Sequence, residues 1–439
     1  MISNDLKIDD VPYMYDQSGR ICIKGNKVYR IIENEEHIKN YKELLNSDYI
    51  EELFSLGLVR TKIAEELDSR GIIILEHQKI PFILHPCEYS NKMFWQTACM
   101  FIEINLKLAE KGFVTQDSHP WNVSFDGVKP VYYDFGSIIR SNKITQAWFD
   151  EFLHYFIVSI WLASYSPKTY KFAKEYRKEN GGGGFGVSLF KSTKIKKILF
   201  WEFRNIAKFK NDPQKLFSEI LKWLQKHEPI SVKPQYWSNY YETNSFDYTN
   251  LKFSKQKFVY KILADKKPEK VLDLASNKGY YAFMAANLGA SVVAFDYEEE
   301  IVDFLLKTEE NTNNKVTPAH MDFSKPTAPF GPGLFWEDSF KRFESEIVLA
   351  LGLIHHICIT QGMPVYLFCE TCKKYATKGV LLEFADPTDR HVANWNAKIP
   401  KDYSIDKIKV YMKDKFPNCE MSENELSDGI NRTYLYFYN

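Results

Sequence analysis

One stretch constrains this chain more than any other: Val271-Leu-Asp-Leu-Ala-Ser-Asn-Lys-Gly-Tyr-Tyr281. An apolar strand runs into Asp273. A turn built on Ala275, Asn277 and Gly279 follows, then an apolar helix from Tyr281 to Leu288. A second apolar strand, Ser291 to Phe295, ends on Asp296. Such a unit lets the backbone approach a nucleotide-like ligand closely while a carboxylate grips its ribose diol. The alternation continues downstream. Tyr297 to Lys307 reads as a helix, Lys315 to Met321 as a strand ending at Asp322-Phe323, and Ser339 to Glu346 leads into the apolar run from Ile347 to His356. Pro364 to Ala376 is predicted helical and Val380 to Phe384 is a fifth strand. Two late strands fall near Glu420 to Leu426 and Thr433 to Tyr438. Near-continuous apolar strands separated by helices imply an α/β fold. Its parallel sheet is covered on both faces, and its ligand lies at the carboxyl ends of the strands.

The turn is similar to the D-x-G-x-G-x-G pattern of S-adenosylmethionine (SAM) methyltransferases, with Ala275 and Asn277 in place of the first two glycines. Four strand-end contacts follow from that likeness. Asp273 and the turn through Gly279 support the methionine portion, and Asp296 suits the ribose hydroxyls. Asp322 suits the adenine amino group, with Phe323 stacking on the ring. His355 and His356 end the fourth strand beside the transferred methyl. Plain strand-end capping is the alternative for Asp296 and Asp322. Adjacent residues of a strand point to opposite faces, so one histidine of the pair reaches the site, and the sequence leaves open which. Methyl transfer from a sulfonium is an in-line displacement governed by alignment. A hydroxyl acceptor must also lose its proton, for which an imidazole of near-neutral pKa is a suitable base. Glu383, on the next strand, orients that imidazole, binds the acceptor, or faces a helix or solvent.

The chain has 439 residues, more than the roughly 250–300 a single core usually supports, which predicts two domains. Its 57 basic and 57 acidic residues cancel, so no global field favours nucleic acid. The start carries no basic-then-apolar signal pattern, and no apolar run approaches the roughly 18–20 residues of a membrane span. Seven scattered cysteines fit a reduced, cytoplasmic protein. Cys369-x-x-Cys372 lacks a matching second pair, which favours packing over zinc or redox chemistry. Three breaks divide the chain: the Gly181 to Gly184 run, the lysine-rich stretch from Lys191 to Lys210, and a Pro- and Tyr-rich linker over 227–250. The expected domains are therefore 1–226 and 251–439. The lysine-rich stretch reads as an amphipathic surface helix or as a contact for anionic lipid at the membrane periphery. The aromatic helix from Thr145 to Tyr165 is interrupted by Asp150, Glu151 and His154, which makes it a buried core helix.

In the first domain the informative segment runs from Thr115 to Gly136, after a helix from Met93 to Lys111. Asp117, Asn122 five residues on, a short hairpin and Asp134-Phe-Gly136 match a phosphotransferase catalytic loop. In such loops the first acid positions the attacking hydroxyl, while the asparagine and the second acid hold Mg²⁺ on the triphosphate of ATP. The amino-terminal hairpin, Asp16 to Ile32, lacks a G-x-G-x-x-G loop, and it leaves open which of Lys24, Lys27 or Arg30 meets phosphate. Both an active phosphotransferase and a pseudokinase-like scaffold remain open.

Taken together, five segments resemble the bacterial nodulation host-specificity-type family of SAM-dependent methyltransferases. They are Asp16 to Arg20, Lys79 to Tyr89, Val271 to Gly279, Leu349 to His356 and Leu382 to Asp389. The resemblance implies a Rossmann-like class I methyltransferase sheet with helices on both faces, preceded by an α+β protein-kinase-like domain. It implies SAM bound by Asp273, Ala275, Ser276, Asn277, Gly279, Asp296, Tyr297, Asp322, Phe323 and Leu351. His355, His356 and Glu383 would line a reaction site for a small-molecule or glycan acceptor. The loop at Asp117 is closer to aminoglycoside- and choline-kinase-like enzymes, which keeps ATP and Mg²⁺ in view, the metal on Asn122 and Asp134. Oligomeric state is not legible.

Overall fold

The structure is a computed structural model describing residues 2–12, 18–178, 194–230, 248, 250–312, 315–427 and 429–439. The chain divides into two compact units, Met1–Pro81 with His85–Val232, and Phe82–Leu84 with Lys233–Asn439. The Gly181 to Gly184 run and most of the expected linker lie outside the described residues.

In the first unit, strands β1 (Arg20–Lys24), β2 (Lys27–Ile32), β3 (Thr61–Leu67) and β4 (Ile72–His77) form an antiparallel sheet ordered β1-β2-β4-β3. Tyr29, Ile31, Ile72 and Ile74 project from one face onto Leu6 and Ile8, as the two-residue repeat of a strand dictates. The helix Asn91–Ala109 starts at Ser90, whose Oγ accepts from the Met93 amide at 3.1 Å. It buries Phe94, Phe101 and Ile104. Two short ribbons follow: β5 (Phe113–Thr115) pairs with β8 (Ile138–Arg140), and β6 (Val123–Asp126) with β7 (Lys129–Tyr132). The aromatic helix spans Gln146–Tyr165 with a π-helical turn at Leu153–Ile157. Trp148, Phe152, Phe156 and Trp161 are buried along it.

The second unit is built on β9 (Lys270–Leu274), β10 (Ser291–Asp296), β11 (Val316–His320), β12 (Ser345–Ala350), β13 (Ala376–Ala385), β14 (Asn418–Met421), β15 (Glu425–Ser427) and β16 (Ile430–Tyr438). The order is β11-β10-β9-β12-β13-β16-β14, with β15 paired to β16. Strands β9 to β13 are parallel and β14 to β16 antiparallel. The expected late strand over 420–426 is two strands, both paired with β16. Pro318, which has no N–H to donate, sits on edge strand β11. Val271, Val292, Ile347 and Leu381 pack on helices Ser254–Lys266 and Tyr280–Asn287, while on the other face Phe295 meets Tyr375 of helix Val365–Tyr375 at 6.5 Å. Strand order reverses between β9 and β12, which opens a crevice at their carboxyl ends. Cys369 and Cys372 are buried on helix Val365–Tyr375, and burial pushes the Cys369 thiol up to about 12. Such thiols are inert packing groups. No helix among the described residues is long and apolar enough to cross a membrane.

Candidate functional site

The turn after β9 has three left-handed residues in alternation: Ala275 at φ 56°, Asn277 at 49° and Gly279 at 77°. These are the three glycine positions of the pattern. Gly279 is doubly required, because a Cβ there would lie 2.4 Å from Leu305 Cδ2 and 3.0 Å from Phe283 Cε2. Asn277 adapts to this conformation, and its Oδ1 accepts from the Lys278 amide at 2.6 Å. Ala275 has no side chain with which to compensate. The Ser276 amide donates to the Phe295 carbonyl at 3.0 Å, which ties the turn to β10.

Two buried acids frame this turn. Asp296 Oδ2 accepts from the Asn277 amide at 3.1 Å and Oδ1 from the Glu298 amide at 3.0 Å. Burial still pushes its carboxyl up to about 6, against those amides. These contacts and one from the Tyr297 amide use about three of the carboxylate's four acceptor positions. Asp273 is only 3% exposed, and burial raises it to about 7. Lys255 opposes that rise and the Asp296 charge adds to it. A buried carboxylate held this high is short of positive charge, so the donor set fits the ammonium of an amino-acid-bearing cofactor such as SAM.

The outer residues fall less evenly. Asp322 lies beyond the end of β11, where its Oδ1 accepts from the Ser324 amide at 2.9 Å and from Ser324 Oγ at 2.7 Å. That geometry caps the local turn. Phe323 is buried and packs against Phe368 at 5.0 Å, so its ring belongs to the core. The exposed ring beside Asp296 is Tyr297, whose hydroxyl donates to Glu298 Oε1 at 3.2 Å. Leu351 is buried immediately after β12.

The sequence places His355 and His356 at the end of the fourth strand; the structure corrects this. Strand β12 stops at Ala350, Gly352 turns the chain at φ 66°, and the pair opens a helical turn that continues through Thr360. Neighbours on a helix diverge by about 100° rather than 180°, so the choice of one histidine no longer applies. Both rings meet Trp395, His355 at 5.6 Å and stacked, His356 at 4.9 Å. The near-neutral pKa is corrected too. Burial lowers His355 to about 3, reinforced by His356, and lowers His356 to about 4, reinforced by Arg432. Both are neutral imidazoles at pH 7. His355 Nδ1 is buried with no hydrogen-bond partner among the described residues.

Glu383 is fully buried between two cations, Lys255 Nζ at 2.6 Å and Arg432 Nη1 at 2.6 Å. Burial alone would raise its carboxyl, but these partners hold it down at about 2. Arg432 Nε also reaches Asp389 Oδ2 at 3.1 Å. Two cations therefore balance two carboxylates next to the histidines. Sequence reasoning missed Lys255, Asp389, Trp395 and Arg432.

The first unit gathers its own cluster. Asn122 Nδ2 donates to Asp134 Oδ2 at 3.2 Å, and Arg30 Nη2 donates to Asp134 Oδ1 at 3.0 Å. The Gln116 and Asp117 amides donate to Ser137 Oγ at 3.0 and 3.1 Å, and Asp117 itself is half-buried. Of the three basic candidates in the hairpin, Arg30 points inward. Lys24 donates to the Asp5 carbonyl and Lys27 pairs with Glu76. Mg²⁺ on Asn122 and Asp134 does not fit this arrangement, since one carboxylate oxygen faces a guanidinium and the other an amide N–H.

No protein-family model matches the chain. It is 23% identical over 393 residues, 83% of this chain and 81% of the other, to nodulation protein NoeA of Rhizobium meliloti strain 1021. Among solved structures the chain is similar to TehB from Haemophilus influenzae, with TM-score 0.29 and 18% identity over 42% of this chain and 62% of that one. It is also similar to magnesium protoporphyrin IX methyltransferase from Synechocystis PCC 6803 with bound SAM (0.29, 15%, 42% and 80%) and to WbdD (0.32, 17%, 42% and 39%). The chain thus spans under two thirds of TehB and of WbdD.

Proposed function

We propose that this chain is a SAM-dependent methyltransferase. Its carboxyl-terminal unit would methylate an oxygen of a sugar, a glycan intermediate or a similar polar small molecule. The observation that carries this reading is the turn between β9 and helix Tyr280–Asn287: three alternating left-handed residues flanked by Asp273 and Asp296, both pushed up by burial. Such a turn presents backbone to a ligand at the switch point of the sheet. Asp273 would hold the α-ammonium, Asp296 the ribose hydroxyls, and Tyr297 offers an exposed ring beside them. The bound cofactor supplies an activated methyl on a sulfonium.

The neighbouring groups support this acceptor class. Lys255 and Arg432 are balanced by Glu383 and Asp389, so no surplus charge recruits a phosphate or carboxylate. Trp395 offers a partly exposed ring for a sugar face, and an acceptor hydroxyl would satisfy the buried His355 Nδ1. Leaving such a nitrogen without a partner costs roughly 1–3 kcal/mol. A pKa of about 3 makes His355 a weak base, so its role is to accept the hydrogen bond and align the oxygen; the O–CH3 bond forms as the S–CH3 bond breaks, and the hydroxyl proton is released to water. Glu383 is a positioning residue, held by its cations.

The amino-terminal unit is, on this reading, a kinase-like module that serves acceptor handling in a cytoplasmic enzyme. The gathering of Asn122 and Asp134 favours a second, bifunctional reading, phosphorylation followed by methylation, and the Arg30 contact opposes it. An adaptor role through Lys191 to Lys210 rests on a helix, Lys194–Ala207, half of whose side chains lie outside the described residues. The test is transfer of tritium from [methyl-³H]SAM into fractionated bacterial extract. The account expects label in the carbohydrate and small-molecule fraction, lost with Asp273→Ala. Label confined to protein or nucleic acid, or no dependence on Asp273, would overturn it.

A further inference from the structure

We propose that Arg30 is the resident counter-ion of Asp134 and stands where a divalent cation would bind, so that the amino-terminal unit takes no metal-bound nucleotide. Arg30 is only 3% exposed. Its Nη2 meets Asp134 Oδ1 at 3.0 Å, and its Nη1 donates to Ser18 Oγ at 2.8 Å. Room for this approach comes from Gly136. A Cβ at that position would lie 1.7 Å from Arg30 Nη1 and 2.2 Å from Ser18 Oγ, so any side chain there would expel the guanidinium. The Tyr41 hydroxyl donates to the Gly136 carbonyl at 2.7 Å and holds the loop against helix Glu35–Leu45.

A guanidinium is always charged and matches a carboxylate geometrically. Phosphoryl transfer needs a basic side chain free for phosphate and an acid free for Mg²⁺. Here those two groups are spent on each other, and a single contact withdraws both. His77, buried beside Arg30 with Nδ1 2.8 Å from Thr61 Oγ1, is kept neutral by burial and by that charge. The inference goes beyond the methyl-transfer reading and stands or falls separately from it.

The test is Mn²⁺ binding to the intact protein, read by electron paramagnetic resonance, with and without ATP. Wild type and Asp134→Asn are expected to give the same curve. Arg30→Gln is expected to gain Mn²⁺ affinity by about tenfold or more, and the gain should vanish in the Arg30→Gln/Asp134→Asn double variant. Saturable Mn²⁺ or Mn·ATP binding by wild type that Asp134→Asn weakens by about tenfold would overturn the proposal. So would a folded Arg30→Gln protein with no gain. The comparison of wild type with Asp134→Asn decides the matter even if the Arg30 variant does not fold.

Discussion

Ala275→Gly should stabilise the carboxyl-terminal unit, which is unusual for removing a methyl group. Ala275 holds φ 56°, where a Cβ-bearing residue loses about 1–2 kcal/mol relative to its preferred backbone. Glycine removes that strain but adds freedom to the unfolded chain, which offsets roughly 0.4–1 kcal/mol. The net gain is about 0.5–1 kcal/mol, or roughly 1–4 °C in Tm for a unit of this size. Ala286→Gly is the control. Ala286 lies in helix Tyr280–Asn287, partly buried, where glycine costs about 1 kcal/mol. Differential scanning calorimetry should therefore move the transition of this unit in opposite directions for two chemically identical substitutions eleven residues apart. If both lower Tm by similar amounts, Ala275 is not strained and the left-handed turn is wrong.

Gly279→Ala should lose roughly 2–4 kcal/mol, since it combines the left-handed penalty with overpacking against Leu305 and Phe283; an unchanged Tm would contradict that. Glu383→Gln leaves Lys255 and Arg432 facing each other without their shared anion and should cost about 3–5 kcal/mol. A loss of turnover with no loss of Tm would instead make Glu383 catalytic. His355 titrates at about 3 in the fold against an ordinary 6.5, so the unfolded chain takes up the proton first. Its share of stability is present above about pH 6.5 and is lost as the pH falls, on the order of 2 kcal/mol by pH 5. Urea unfolding of His355→Phe should show a correspondingly flatter fall between pH 6.5 and 5, and an unaltered pH profile would refute it.

The parts of the site written into contiguous sequence were legible. Val271 to Asp296 carries its own strand, turn, helix and acid, and even the substituted positions Ala275 and Asn277 occupy the backbone conformation glycine would take. Local apolar character misled at the histidines. Ile347 to Ile354 is one hydrophobic run, and periodicity cannot separate a strand from the helical turn it enters; Gly352 was the unread signal. Lys255 and Arg432 were invisible for a different reason. Glu383 opposes Tyr434 across β13 and β16, and Arg432, 49 residues away in sequence, lies on the diagonal of that pair. Only the register of two antiparallel strands brings them together. In the first unit the spacing of Asp117, Asn122 and Asp134 suggested a metal, but no local pattern announced that Arg30 would pair with Asp134.

The central claim is that Asp273 waits for a cation at the cofactor site, and calorimetric titration with S-adenosylhomocysteine at pH 5.5 and pH 8 tests it most directly. Its ammonium stays protonated throughout, while Asp273 ionises at about 7. Affinity should therefore rise by about tenfold or more between the two pH values, and Asp273→Asn should bind weakly and keep only the smaller dependence that Asp296, ionising at about 6, contributes. No saturable binding, or tight binding equally strong at both pH values and in the variant, would contradict the account.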